Sequence, residues 1–174
     1  MGPSVVVAAW SMLAASGAIA QSSPTVTLNF RGTYETPTCT VVGASDLTVD
    51  LPSVSAQSLA PGKPDGSKVF TIPIQCESGV ASVRMFFSGT SVDPVTGNLI
   101  PDPGTGGSAA GNVQVRLQHG DGVPIHVGNR STMRVVPITT TQPVPLEFIA
   151  SYYATGSATV GNVRATAIYV IEIP

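Results

Sequence analysis

Phe70-Thr71-Ile72-Pro73-Ile74-Gln75-Cys76 is the stretch on which the fold assignment turns. Phe70, Ile72, Ile74 and Cys76 share one phase of a period-two alternation, so all four point to one side of an extended strand. The same period runs outward in both directions. Val83, Met85 and Phe87 alternate with Ser82, Arg84 and Ser88, and Val113, Val115 and Leu117 alternate with Asn112, Gln114, Arg116 and Gln118. Leu146, Phe148, Ala150 and Tyr152 mark another strand, and a last one runs from 163 to 173 with Ala165, Ala167, Tyr169, Ile171 and Ile173 on one side. Towards the N-terminus, Val26, Leu28, Phe30 and Tyr34 alternate with Thr25, Thr27, Asn29, Arg31, Thr33 and Glu35, and Gly32 falls on the apolar side.

Turn formers separate these runs: Pro61-Gly62-Lys63-Pro64-Asp65-Gly66, Asp93-Pro94, Thr96-Gly97-Asn98, the stretch 101–111, and Gly120-Asp121-Gly122. The last is expected to turn the strand 112–118 back into 123–127. No segment of helical length keeps a 3.6-residue period, and β-branched residues dominate the apolar runs. About seven short strands divided by turns predict an antiparallel sandwich of immunoglobulin type.

Composition agrees. Of 174 residues only 10% are charged and 43% are hydrophobic, with 18 glycines and 15 prolines scattered without a repeat. Such a chain is no helical bundle, coiled coil or collagen. It is too apolar, at a net charge of -2, to remain disordered. Eight basic residues against ten acidic ones, without clustering, argue against a nucleic-acid partner.

Residues 1–20 predict a secretory signal. The apolar run 5–15 is interrupted only by Ser11, and Ala18-Ile19-Ala20 supplies a small-x-small cleavage pattern before Gln21. No Lys or Arg precedes the run, as would follow if translation started upstream of Met1. Cys39 and Cys76 both lie beyond the signal, and an even pair in an exported chain predicts a disulfide.

Catalytic chemistry is hard to place. His119 and His126 are the only histidines, and no acidic residue stands at a spacing that would orient either. The metal-ligand spacings are missing too, so neither a metal nor another cofactor is expected. Asp93, Asp102 and Asp121 fall in Gly/Pro-rich turns, where Asp commonly caps backbone groups. Gly104-Thr105-Gly106-Gly107 lacks the lysine and helix of a phosphate loop. The chain is expected not to be an enzyme.

Three features together resemble the subunits of chaperone–usher fimbriae, the pilins of type 1 and P pili. They are the arm from Thr25 to Gly32 leading into Pro37-Thr38-Cys39-Thr40-Val41; the Cys39/Cys76 pair, with the second Cys closing a Phe-x-Ile-x-Ile-x-Cys strand; and Phe148-Ile149-Ala150-Ser151-Tyr152-Tyr153-Ala154-Thr155-Gly156 before a long final strand. The likeness covers nearly all of residues 24–174. It implies an incomplete immunoglobulin-like sandwich that lacks its seventh strand. The gap is filled first by a periplasmic chaperone and then, at an outer-membrane usher, by a donor strand from another subunit.

On this resemblance residues 1–20 are a signal peptide, 21–36 a donor arm and 37–174 the pilin domain. Val26, Leu28, Phe30, Gly32 and Tyr34 are the residues that enter a neighbour's groove. Tyr169, Ile171 and Ile173 of the last strand form the groove- and chaperone-contacting side. Where the family usually has a penultimate Tyr this chain has Ile173, followed by Pro174. The resemblance implies a structural subunit of a surface fimbria, exported through the periplasm, partnered by other pilin subunits, a chaperone and an usher, and supporting cell adhesion. Burying Val26, Leu28, Phe30 and Tyr34 would contribute very roughly 6–12 kcal/mol gross.

Two alternatives stay open on sequence. Residues 25–34 could be the first strand of a self-contained sandwich, which period alone does not distinguish from a donor arm. The chain could also be a tip adhesin or a free-standing carbohydrate-binding module, although its only tryptophan, Trp10, lies in the signal.

Overall fold

The computed structural model describes residues 38–43, 46–102 and 109–174, all within the unit Glu35–Pro174. Eight strands appear in chain order: β1 (Cys39–Val41), β2 (Pro64–Cys76), β3 (Ser82–Ser88), β4 (Val113–His119), β5 (Pro124–Ile125), β6 (Val135–Pro137), β7 (Val144–Ala154) and β8 (Ile168–Glu172). One 3-10 turn, Arg130–Thr132, is the sole helical element among the described residues. Every strand pairing is antiparallel. A five-stranded sheet runs in the order β1-β2-β7-β4-β5, and a three-stranded sheet in the order β6-β3-β8. This is the all-β immunoglobulin-like sandwich that the alternating runs predict.

The core is built from the phases that the sequence singles out. Ile72, Ile74 and Cys76 from β2, Val83, Met85 and Phe87 from β3, and Leu146, Phe148 and Ala150 from β7 are all buried. Phe148 anchors it: its ring meets Phe87 edge-on at 5.0 Å and lies tilted against Phe70 at 5.6 Å.

Three element boundaries differ from the sequence expectation. Only Pro61-Gly62-Lys63 turns, with the Gly62 N–H donating to the Ala154 carbonyl. Pro64 and Asp65 already pair with Tyr153 and Tyr152, and the register shifts between Asp65 and Lys68. Gly66, at φ +62°, supplies the left-handed residue that this bulge requires. At the other end of the chain, residues 163–167 keep the alternation of half-buried and exposed positions, but the regular strand begins only at Ile168. A strand is defined by its pairing, and β3 reaches only as far as Ser88, opposite Ile168. The return strand after Gly120-Asp121-Gly122 is likewise shorter than residues 123–127, with only Pro124–Ile125 paired to β4.

Candidate functional site

Among the described residues the two sheets fail to close over one another along one side. β8 is the last strand of its sheet, bonded to β3 alone, and among the described residues no strand covers its free edge. Across from that edge, residues 46–51 run past the sandwich without a backbone hydrogen bond to another described residue. Between them lies a groove of about 840 Å³. Its floor is apolar: Phe70 and Ile72 from β2, Phe87 from β3, Val115 and Leu117 from β4, and Ala150 and Tyr152 from β7, with Leu99.

The walls show why the gap matters. Val49, Leu51, Val163, Ala165, Ala167 and Tyr169 all pack against the core cluster, yet every one stays only partly buried. A side chain turned inward should be shielded by the layer above it, and here part of that layer is open. Partly covered apolar surface beside a strand edge that no other described strand pairs with offers both hydrophobic and hydrogen-bond binding capacity to one extended peptide. The rim is charged, lined by Asp46, Asp50, Asp102 and Arg164. Asp102 is held at the 164–166 end, where its N–H donates to the Arg164 carbonyl at 2.7 Å and its carboxylate accepts from the Thr166 hydroxyl at 3.4 Å.

Cys39 and Cys76 form a disulfide. They are directly opposite one another across β1 and β2, so the bond ties a three-residue edge strand to the long strand beside it. Among the last-strand residues, Tyr169 lines the groove. Ile171 packs against the core, and Ile173 lies one residue past β8 and is 43% exposed. The arm residues Val26, Leu28, Phe30, Gly32 and Tyr34 lie outside the described residues. The second wall was not picked out by the sequence reading, although Leu47, Val49 and Leu51 alternate with Asp46, Thr48 and Asp50 in the same period as every other strand.

The titratable groups elsewhere serve the fold. His119 is buried and its Nε2 lies 3.1 Å from the Thr132 carbonyl, an arrangement in which it donates. Desolvation lowers its pKa, against the opposing effect of that carbonyl. Asp121 pairs with Arg134. Asp93 accepts from the Val95 and Thr96 N–H groups and from the Gln114 amide, which hold its carboxyl below the ordinary range, with the Thr96 bond contributing most. Among the described residues no group of three or more His, Cys, Asp or Glu is placed to hold a metal ion.

Residues 28–173 match the family model for fimbrial protein. The chain is 38% identical to an F17 fimbrial protein of Escherichia coli, covering 89% of this chain and 94% of the relative. It is 33% identical to the major fimbrial subunit SMF-1 of Stenotrophomonas maltophilia, covering 92% and 98%. In fold it is similar to the crystal structure of the P pilus rod subunit PapA, with a TM-score of 0.62 at 16% identity, covering 78% of this chain and 99% of that one. A chain from a chaperone–usher pilus structure gives the same TM-score at 17% identity, covering 91% and 100%.

Proposed function

The chain belongs to the fimbrial protein family as a subunit of the chaperone–usher pilus kind, and from that premise we propose that it polymerises by donor-strand exchange into a surface fimbria that supports cell adhesion. The observation that carries this reading is the open groove. A sandwich whose inner wall beside β8 is half-exposed, with no other described strand laid along it, has room for one more strand, and residues 21–36 of a sister subunit provide one with apolar residues at every second position from Val26 to Tyr34. Val26, Leu28, Phe30 and Tyr34 would descend onto the floor while the arm backbone bonds along the outer edge of β8. Gly32 marks the point where the arm passes closest to the floor.

The same groove explains the expected partners. A subunit with this surface exposed is aggregation-prone, so a periplasmic chaperone would hold it until the usher hands it to the next arm. Residues 1–20 serve export, 21–36 the arm and 37–174 the pilin domain. Relatives spanned almost end to end are structural fimbrial subunits, and no observation favours the tip-adhesin or free carbohydrate-binding alternative. Deletion of residues 21–35 tests the reading: the domain should still form its disulfide beside a chaperone, while heat-resistant ladders of polymer should disappear. Ladders that persist would show that another segment joins the subunits.

A further inference from the structure

The groove is charged unevenly along its length, and the arm carries a charge that fits one end. The direction of each wall follows from its contacts. β1 pairs with the Ile74–Cys76 end of β2, and Val54 lies against Gly66 near the start of β2. Residues 46–51 therefore run from the Ile74 end towards the Gly66 end. Val163 packs beside Leu59, Val113 and Ala154 at that Gly66 end, and the chain runs from there to Glu172. The two walls are antiparallel. Asp50 and Asp102 consequently share one end of the groove, together with Arg164, and Asp46 marks the other.

The arm, residues 21–36, holds one basic side chain, Arg31, and one acidic side chain, Glu35. Its inward positions are five: Val26, Leu28, Phe30, Gly32 and Tyr34. The wall opposite also offers five, Val163, Ala165, Ala167, Tyr169 and Ile171, each packed against the core cluster. Overlapping the two sets fully with the arm antiparallel to β8 puts Val26 opposite Ile171 and Tyr34 opposite Val163. Arg31 then falls opposite Thr166, whose hydroxyl meets the Asp102 carboxylate at 3.4 Å. The opposite orientation sets Arg31 against Ile168, an exposed aliphatic side chain.

We propose that Arg31 of one subunit forms an ion pair with Asp102 of the next, seconded by Asp50, and that this pair acts with Gly32 to fix the direction and register of the arm in the groove. The proposal rests on the donor-strand reading above. Arg164 lies diagonally across from both Arg31 and Glu35 in this register, so its repulsion of Arg31 is offset by Glu35, while Asp102 and Asp50 face Arg31. A one-residue slip would turn the arm's apolar face outward, and a two-residue slip would keep the face but move Arg31 away from Thr166. Alternation alone therefore does not choose among even-numbered slips; the charge does so alongside Gly32, which a two-residue slip would replace with a bulky side chain at the closest approach.

The test uses the full mature chain and follows the growth rate of heat-resistant ladders for wild type, Arg31→Glu, Asp102→Lys and the double reversal. Arg31 lies in the arm, so its replacement leaves the composition of the pilin domain unchanged; Asp50→Lys serves as a second groove variant. Each single reversal should slow growth roughly three- to tenfold, because charge at an interface rim acts mainly on association. The double reversal should restore the rate to within about twofold, and added salt should slow wild type more than Arg31→Gln. Ladders that grow at the wild-type rate in both Arg31→Glu and Asp50→Lys would overturn the ion pair while leaving donor-strand exchange standing. Ladders that survive deletion of residues 21–35 would overturn both.

Discussion

His119 illustrates how a single buried group sets a pH dependence. Its ring sits in the wall of a cleft beside Met85, Val136 and Phe148, with Arg134 and Glu147 also lining the space. Desolvation holds its folded-state pKa below the ordinary histidine value of about 6.5. Between that ordinary value and the lower folded one, the unfolded chain binds a proton that the folded chain does not, so stability is full above about pH 6.5 and declines as pH falls through the folded pKa. Denaturant midpoints taken from pH 7.5 to pH 5 should fall, and His119→Gln should flatten that part of the curve; an unchanged slope in the variant would place the effect elsewhere. Gln114 makes a second residue-scale case. Its amide oxygen accepts from the Thr96 hydroxyl at 2.8 Å and the buried Asn98 amide at 3.0 Å, while its NH2 donates to Asp93 at 2.7 Å. Gln114→Leu strands the Asn98 donor and should destabilise the domain by about 1–3 kcal/mol, measured by urea unfolding. The capping role of Asp93 is legible in a Gly/Pro-rich turn. Its partner Gln114 is not, because it lies on the outward phase of β4, where sequence gives no sign that a loop will cover it.

At the scale of elements, β1 and the bulge of β2 carry the predictions. β1 is three residues long, and hydrogen bonds to β2 alone are a weak hold on an edge strand. The Cys39–Cys76 bond closes a separation of 37 residues, a loop whose closure stabilises by about 4 kcal/mol on the chain-entropy account. Reduction, or the double Cys→Ser variant, should lower the unfolding free energy on that order, and amide exchange should rise first in β1. Gly66 combines φ +62° with a Cβ position only 2.8 Å from the Tyr152 ring. Gly66→Ala should therefore destabilise by about 1–3 kcal/mol, checked by the thermal midpoint. The period-two runs make β3 and β4 readable to within a residue, whereas β7 runs two residues further at each end than the Leu146–Tyr152 alternation marks. β2 begins earlier than its turn-forming residues suggest: Pro64 and Asp65 pair with β7, and a bulge at Gly66 absorbs the irregularity. β8 begins later than its alternation suggests, since residues 163–167 point the expected way but find no strand partner among the described residues. Alternation reports which way side chains face; it does not report whether a neighbouring strand is there.

For the whole molecule the deciding feature is the groove, and it was the hardest to read from sequence. Val49, Leu51, Ala165 and Ala167 have the pattern of core residues, and only the three-dimensional arrangement shows that they remain half-exposed beside a floor of Phe70, Phe87 and Tyr152. A missing strand leaves no trace in the chain that lacks it. The family relationship supplies the idea that another copy fills the space, and the geometry supplies a space of suitable character. A ligand that binds only the folded state raises stability in proportion to the logarithm of its concentration over its Kd. The most direct measurement is thus the thermal unfolding of residues 21–174 with and without a peptide spanning residues 24–35. At a hundredfold excess over its Kd the peptide should raise the midpoint by about 5–10 °C, with further rise at higher concentration. A midpoint indifferent to the peptide at every concentration, in a monomer whose β8 edge is already protected from exchange, would contradict the account.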